Sequence, residues 1–412
     1  MPKINARLLS FFLLSISIEC FAQQTELELD PVTITASINP LTLSNTGRNL
    51  LVISNERIKH LPINSIDELL RYLPGIEVQA RGPMGAQSDF VLRGGTFQQV
   101  LVLLDGLRIN DPLTGHFNSY LPITPAEIDR IEILKGASSA IYGTEAVGGV
   151  IQIISKTFAK NKNAEKKELL QGQMMVGQYG LYNGTHGGFY QKGKTAISGG
   201  VLSNNATGQQ QRGIKGFFNL NTFSLSIRQQ LSQNLNIAFR SSYDQRKFAA
   251  QNFYTTFLSD TAKEEVKILW NQLRLDYSKN KNAFNIQAGY KIGEDEYIFN
   301  KSSIANLNRS KLFQTLATYT YTVNEKTTIT SGAQFQNRTI RSNDRGNHQV
   351  NQSALFILVN SQLVKGLFIN PAARFDWNER SGFEFVPQMN LSYRILNFQL
   401  RGSAGKTIRE AD

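Results

Sequence analysis

Residues 131–156 read IEILKGASSAIYGTEAVGGVIQIISK, two runs of aliphatic and β-branched residues around a centre of Gly, Ala and Ser. The glycines stand at Gly136, Gly143, Gly148 and Gly149. Small residues between two strands suit either a loop that cradles phosphate or a turn packed so closely that only backbone fits. A P-loop needs G-x-x-x-x-G-K-[ST], because the lysine and the hydroxyl make the phosphate and magnesium contacts. Gly143 and Gly148 have that spacing, but Gly149 and Val150 stand where Lys and Ser/Thr belong. The dinucleotide pattern G-x-G-x-x-G is absent too. The stretch therefore reads as tight packing in a compact domain enclosed by other walls, where glycine permits close approach and positive φ.

Around it, strand and helix patterns alternate. Leu50–Ile53, Phe90–Leu92, Val100–Leu104, Ile131–Leu134 and Val150–Ile154 read as strands, with Gly94-Gly95 and Asp105-Gly106 as turns. Ser54 and Asn55 can cap a short helix that includes Ile58. In INSIDELLRYLPGI (63–76), Asn64 or Ser65 is the cap, Asp67 and Glu68 sit near the positive end, and Ile66, Leu69, Leu70 and Leu73 share a face. Together these make an α/β unit of about 110 residues, a normal domain size.

After about residue 168 the pattern changes to long segments in which apolar and polar residues exchange every second position, such as FFNLNTFSLSIRQ, LWNQLRLDYSKN and FQTLATYTYTV. Tyr and Phe gather near their ends. Short turns (Ser232-Gln233-Asn234, Asn280-Lys281-Asn282) alternate with longer polar stretches such as 250–265. This is the pattern of transmembrane β-strands, one face to lipid and one to a polar interior, and such strands must close into a barrel because lipid cannot satisfy an open backbone edge. A soluble sandwich is the rival. Its strands average about 5–6 residues, shorter than these, and its inner faces are not built of Gln, Asn, Arg, Ser and Thr.

Charge and leader fit the same picture. Residues 158–412 carry 32 basic and 17 acidic groups. They are scattered, with no compact cluster on a reading helix, which speaks against a nucleic-acid partner. Lys3 and Arg7, an apolar run Leu8–Ile18 and Cys20-Phe21-Ala22 lay out a secretory signal peptide over residues 1–22. A lipid anchor on Cys20 is the alternative. Cys20 is the single cysteine, so the mature chain has no thiol chemistry. His60, His116, His186 and His348 lack ligand spacing, and no metal or cofactor is expected. No catalytic constellation stands out, and the chain does not read as an enzyme.

FVLRGGTFQQVLVLLDGLRIND followed by IDRIEILKGASSAIYGTEAVGGVIQIISK resembles the plug domain of TonB-dependent outer-membrane receptors. Gly94, Asp105 and Gly106 fit the first family motif; Arg130, Glu132, Gly136, Ser139, Tyr142, Gly143, Ala146, Gly148 and Gly149 fit the second, with Gln152 where the family usually has Asn. The resemblance implies an α/β plug domain inside a large antiparallel transmembrane β-barrel. The expected parts are a periplasmic tail over 23–39, a plug over 40–157 and a barrel over 158–412. LDPVTITAS (29–37) resembles a TonB box: Asp30, Pro31, Val32, Thr33, Ile34, Thr35 and Ala36 can add as a strand to a partner's sheet edge. In the family the plug arginines, here Arg93 and Arg130, lock onto glutamates of the later barrel strands; local pairing is the alternative. The plug loops Ala80–Ser88 and Asn110–Ser119 are the candidate ligand contacts, through Arg81, Met84, Gln87, Asn110, Asp111, Thr114, His116 and Asn118.

The pattern counts about 12–13 strands where plugged transporters have 22. At about 20 residues per strand and connection these need about 440 residues, and about 245 follow the plug motifs. The chain is therefore expected to be part of a receptor of about 600–650 residues; a complete, smaller barrel is the alternative. The resemblance implies a monomer in the Gram-negative outer membrane that imports a scarce nutrient when TonB and its inner-membrane complex pull on the plug. Cobalamin leads, because NDPLTGHFNS resembles the cobalamin-receptor branch; ferric siderophore and haem come next. A passive porin or adhesin barrel is the alternative function.

Overall fold

In a computed structural model the chain forms two units, Met1–Pro31 and Val32–Asp412. The structure describes residues 32–33, 41–42, 47–63, 65–82, 86–159, 167–211, 213–396 and 398–409. The leader, Met84, and Asp30, Pro31, Ile34, Thr35 and Ala36 of the box lie outside the described residues. Val32–Thr33 (β1) pairs antiparallel with Leu41–Thr42 (β2).

The α/β domain is built on a five-stranded sheet of β3 (Asn49–Ser54), β6 (Val100–Leu104), β7 (Leu107–Arg108), β8 (Ile128–Lys135) and β9 (Gly149–Ser155), in the order β3-β8-β9-β6-β7. Its β6–β9 pairing is parallel and its other pairings antiparallel. Strand β9 lies between β8 and β6 and is buried along its whole length. A strand covered on both faces reads as a near-continuous apolar run, which is why GVIQIIS shows no alternation. Ile131, Ile133, Ile151 and Ile153 meet Leu69 and Leu70 from α2 (Ile66–Arg71), which follows the short α1 (Asn55–Ile58). Helix α2 begins where predicted: the Ser65 hydroxyl accepts from the Glu68 amide at 3.5 Å. A separate hairpin, β4 (Ile76–Arg81) with β5 (Gln87–Leu92), takes in both ends of the stretch read as the loop Ala80–Ser88: Ala80 and Arg81 close β4, and Gln87 and Ser88 open β5. Arg81 and Gln87 are thus paired strand ends.

The remainder is one antiparallel sheet of 13 strands. In chain order these are β10 (Lys167–Gly177), β11 (Leu181–Lys192), β12 (Thr195–Ala206), β15 (Phe218–Gln230), β16 (Leu235–Ala249), β17 (Lys263–Lys279), β18 (Asn282–Ile298), β19 (Asn306–Asn324), β20 (Thr327–Ser342), β21 (Gly346–Val364), β22 (Leu367–Asn378), β23 (Gly382–Ile395) and β24 (Phe398–Gly405). A small hairpin, β13 (Gln210–Gln211) with β14 (Ile214–Lys215), stands in the β12–β15 connection. Each strand pairs with the next, as the alternation predicted. In β16 the inward row is Ala238, Arg240, Ser242, Asp244 and Arg246, all buried, while Phe239 and Tyr243 face out and are exposed. Because side chains alternate with period 2, the inward row is polar and the outward row greasy along the same strand.

The sheet has two unlike rims. At the rim where the chain enters β10, connections are short, such as 193–194, 280–281 and 325–326. At the opposite rim they include 207–217 and 250–262. Outward aromatics stack across strands toward both ends. Tyr277, Phe284 and Tyr319 do so near the entry rim, and Phe375 with Phe385 (5.0 Å) and Trp377 with Phe383 (6.5 Å) near the other.

Candidate functional site

The glycine-rich stretch folds back on itself. Its amides already donate to carbonyls: Gly136 to Gly148 at 2.8 Å, Gly143 to Ser139 at 2.9 Å and Gly148 to Gln99 at 2.9 Å. That leaves no nest of free N–H groups for phosphate, in line with the missing lysine. Between β8 and β9, α3 (Ser139–Tyr142) carries Ala140 and Ile141 onto Phe356, Leu358, Ala372 and Val386 of the wall. Arg48, absent from the sequence-based candidates, is buried here. Its guanidinium donates to the carbonyls of Gly136 and Ala137 and to the Ser138 hydroxyl. Burial pulls its pKa down to about 10 and pushes the neighbouring Tyr142 phenol up.

Arg130 pairs within the domain, with Asp129 at 2.7 Å and Glu132 at 2.8 Å. Arg93 adopts φ 54 next to Gly94 (φ 70), and its Nη1 lies over Gly136. The ion pairs that do join domain to wall among the described residues have the opposite polarity. Arg240 of β16 reaches Asp105 at 3.3 Å and Glu127 at 3.1 Å, and all three side chains have 0 % exposure. Lys291 of β18 reaches Asp111 at 3.1 Å and donates to the Ile109 carbonyl at 2.8 Å. Neutral groups add to these. Gln314 brackets Arg108, accepting from its amide at 3.2 Å and donating to its carbonyl at 2.7 Å. Gln272 donates to the Asp105 carbonyl at 3.2 Å.

Asp105 was legible only as half of an Asp-Gly turn, and it is that, with φ 51 beside Gly106 (φ 95). It also accepts from the Ser155 amide at 2.7 Å and hydroxyl at 2.8 Å. Burial raises its carboxyl above the ordinary range, against the pull of Arg240. The Thr124–Glu127 turn docks on a glycine pair: Gly187 of β11 and Gly200 of β12 face each other, with Ala126 and Thr124 against them. A β-carbon on Gly200 would overlap the Thr124 side chain. Gly200→Leu is expected to lift this turn, take Glu127 from Arg240, and expose the domain to protease in the full-length protein; a wild-type digestion pattern would contradict it.

At the rim opposite the chain entry the candidate ligand contacts separate into two kinds. Asn110 faces the interior, holding the Val102 amide at 2.7 Å and the Val100 carbonyl at 3.0 Å, so it is a framework residue. Gln87, Asn118 and Asp111 are also enclosed, Asn118 accepting from the Asp111 amide at 3.2 Å. Arg81, Thr114 and His116 keep partial exposure. His116 Nδ1 lies 2.9 Å from Asp89, and Arg81 lies 3.8 Å from the same carboxylate. The 250–262 connection folds over this group: the Phe253 carbonyl accepts from Arg81 at 3.2 Å, and Tyr254 donates to Gln87 at 3.2 Å. Sequence reasoning missed these wall contributions, since nothing local says where a long connection will fold.

Near the entry rim a cavity of about 410 Å³ separates domain from wall. Leu103, Gln152 and Phe158 line it on one side, and Arg228, Arg274 and Thr318 on the other.

Comparison with known proteins agrees with this architecture. Residues 42–150 match the TonB-dependent receptor plug domain, and residues 173–412 match the TonB-dependent receptor-like β-barrel. The chain is 24% identical over 404 residues to the vitamin B12 transporter BtuB of Vibrio cholerae serotype O1, covering 92% of this chain and 62% of that protein. It is 35% identical over 137 residues to BtuB of Vibrio vulnificus YJ016, covering 33% of this chain and 22% of that one. The chain thus spans about 62% of the length of the first of these relatives. Among solved structures, the siderophore receptor PirA of Acinetobacter baumannii superposes with a TM-score of 0.71 at 16% identity, over 88% of this chain and 61% of that one. The siderophore receptor PiuA of the same organism gives 0.67 at 15%, over 89% and 65%. A domain with the plug motifs, seated by buried ion pairs against a 13-stranded wall that the barrel family model matches to its end, leaves one assignment: the chain belongs to the TonB-dependent receptors.

Proposed function

We propose that the chain is the plug and part of the barrel of an energy-coupled importer in the Gram-negative outer membrane. The leader takes residues 1–22 into the export route, the tail 23–39 lies in the periplasm, and the plug spans 40–157. The entry rim then faces the periplasm and the 250–262 rim faces outward. The cargo is a scarce nutrient: a cobalamin first, in line with the names of the relatives, then a ferric siderophore or haem. The protein acts as a monomer with lipid around its outward row and TonB as its partner. No covalent chemistry is required.

The observation that carries this reading is that the plug is tied to the wall by buried charges. Three fully buried charges, Arg240, Asp105 and Glu127, tie plug to wall, and moving the plug off the wall means parting them. Work must be done on the plug. Strand β3 follows the box and β2 in the chain and is an edge strand of the five-stranded sheet, paired there with β8, so a pull on residues 30–36 reaches that edge first.

Deleting residues 30–36 from the full-length receptor is expected to abolish uptake while surface binding of the ligand persists. Uptake that survives the deletion would sink the coupling. A binding screen with cobalamin, haem and ferric chelates then identifies the cargo.

A further inference from the structure

We propose that Arg240 anchors the plug against pulling, as the wall cation that keeps β6, β8 and β9 in the lumen while the N-terminal segment is pulled. This rests on the transport reading above. Two arrangements stand out among the inward cations of the wall. Arg246, Arg274 and Arg374 each pair with an acid two residues away on their own strand: Asp244 at 2.8 Å, Asp276 at 2.7 Å and Asp376 at 2.6 Å. Those pairs neutralise the wall whether or not a plug is present. Arg240 has Ala238 and Ser242 as its inward neighbours, and Lys291 has Gly289 and Gly293. The carboxylates that meet these two cations, Asp105 with Glu127 and Asp111, all belong to the plug.

Arg240 also holds more than one strand. Asp105 closes β6 and is bonded to Ser155 at the end of β9; Glu127 immediately precedes β8 and caps the Thr124 amide at 3.1 Å. Ser224 of β15 completes the cluster, its hydroxyl 2.9 Å from Glu127 and 2.7 Å from Arg240 Nη1. One guanidinium, whose planar fork can serve several acceptors at once, thus joins the ends of three adjacent plug strands to two wall strands. Taking away one partner of such a buried group leaves charge without compensation. The anchor therefore resists removal of the plug body, and β3, at the sheet edge, is not among the strands it holds.

The test uses the full-length receptor in cells with energised TonB and follows entry of a glycopeptide antibiotic too large for open porins. Arg240→Met keeps side-chain length and removes the charge. It is expected to lower the inhibitory concentration of the antibiotic, and this sensitivity is expected to vanish when residues 30–36 are also deleted, because the anchor matters only under load. Should Arg240→Met fail to assemble, Glu127→Gln removes one of the two carboxylates isosterically and is expected to give a smaller sensitivity with the same dependence. Unchanged exclusion in an assembled variant would overturn the proposal. So would sensitivity that persists without the box, which would mean that the plug is merely unseated. Failure of the transport reading looks different: the wild-type receptor would then import its ligand after deletion of residues 30–36.

Discussion

Gly149→Val is expected to yield a full-length receptor whose barrel assembles but whose plug does not fold into it. Gly149 opens β9, opposite Lys135 of β8 on one side and Val100 of β6 on the other. A β-carbon here would overlap the Leu134 carbonyl oxygen and stand 2.8 Å from Leu92 Cδ1. The first of these is backbone, part of β8 itself, and cannot rotate away as a side-chain tip can. Relief requires the β8–β9 ladder to open at its first rung, in a strand that is buried on every residue. Overpacking alone costs about 1–3 kcal/mol, and unmade buried backbone hydrogen bonds add to that. Against a whole-domain stability of about 5–15 kcal/mol, the loss falls on the strand that holds the sheet together. Limited proteolysis of the receptor in membranes checks it: plug residues should be cut while the wall survives, and ligand binding should be lost. A plug as resistant as wild type would show that the glycine is not required by packing.

Much of this was legible because it is periodic. The outward and inward rows of the wall follow from alternation, and the near-continuous apolar run of Val150–Ile154, broken only by Gln152, marks a strand covered on both sides. The functional partners of those rows were not legible. Arg240 and Lys291 can be placed on the inward face from sequence, but which inward residue meets the plug depends on how a separate domain seats in the lumen. Asp105 carries a turn signal that conceals its second role, since the same carboxylate ends β6, binds Ser155 and accepts Arg240. The motif arginines were assigned by resemblance to glutamates of later barrel strands, and within this chain Arg130 pairs with the acids of its own strand. The facing ends of β4 and β5, Ala80–Arg81 and Gln87–Ser88, were read into a loop because Gly82 and Gly85 bracket a proline between them.

Trp270→Ala is expected to loosen the plug while sparing the wall, although Trp270 is a wall residue. Its inward row on β17 runs Glu264, Val266, Ile268, Trp270 and Gln272. The indole is fully buried, and it belongs to the plug's own apolar core, alongside Leu104, Leu107 and Ile109. Room for it is made by Gly289 on the neighbouring strand, where a β-carbon would stand 2.6 Å from the ring. Truncating a buried Trp costs about 3–5 kcal/mol. Most of what the ring touches is plug, so most of that cost falls on seating rather than on the barrel ladder, which is backbone paired. With a denaturant slope of about 1–3 kcal/mol per molar urea, the midpoint for protease exposure of the plug should fall by more than about 1 M. The other tryptophan provides the contrast. Trp377 faces outward beside Phe383, so Trp377→Ala should leave that midpoint where it is. Equal shifts for the two variants, or none for Trp270→Ala, would mean that the plug core is complete without the wall.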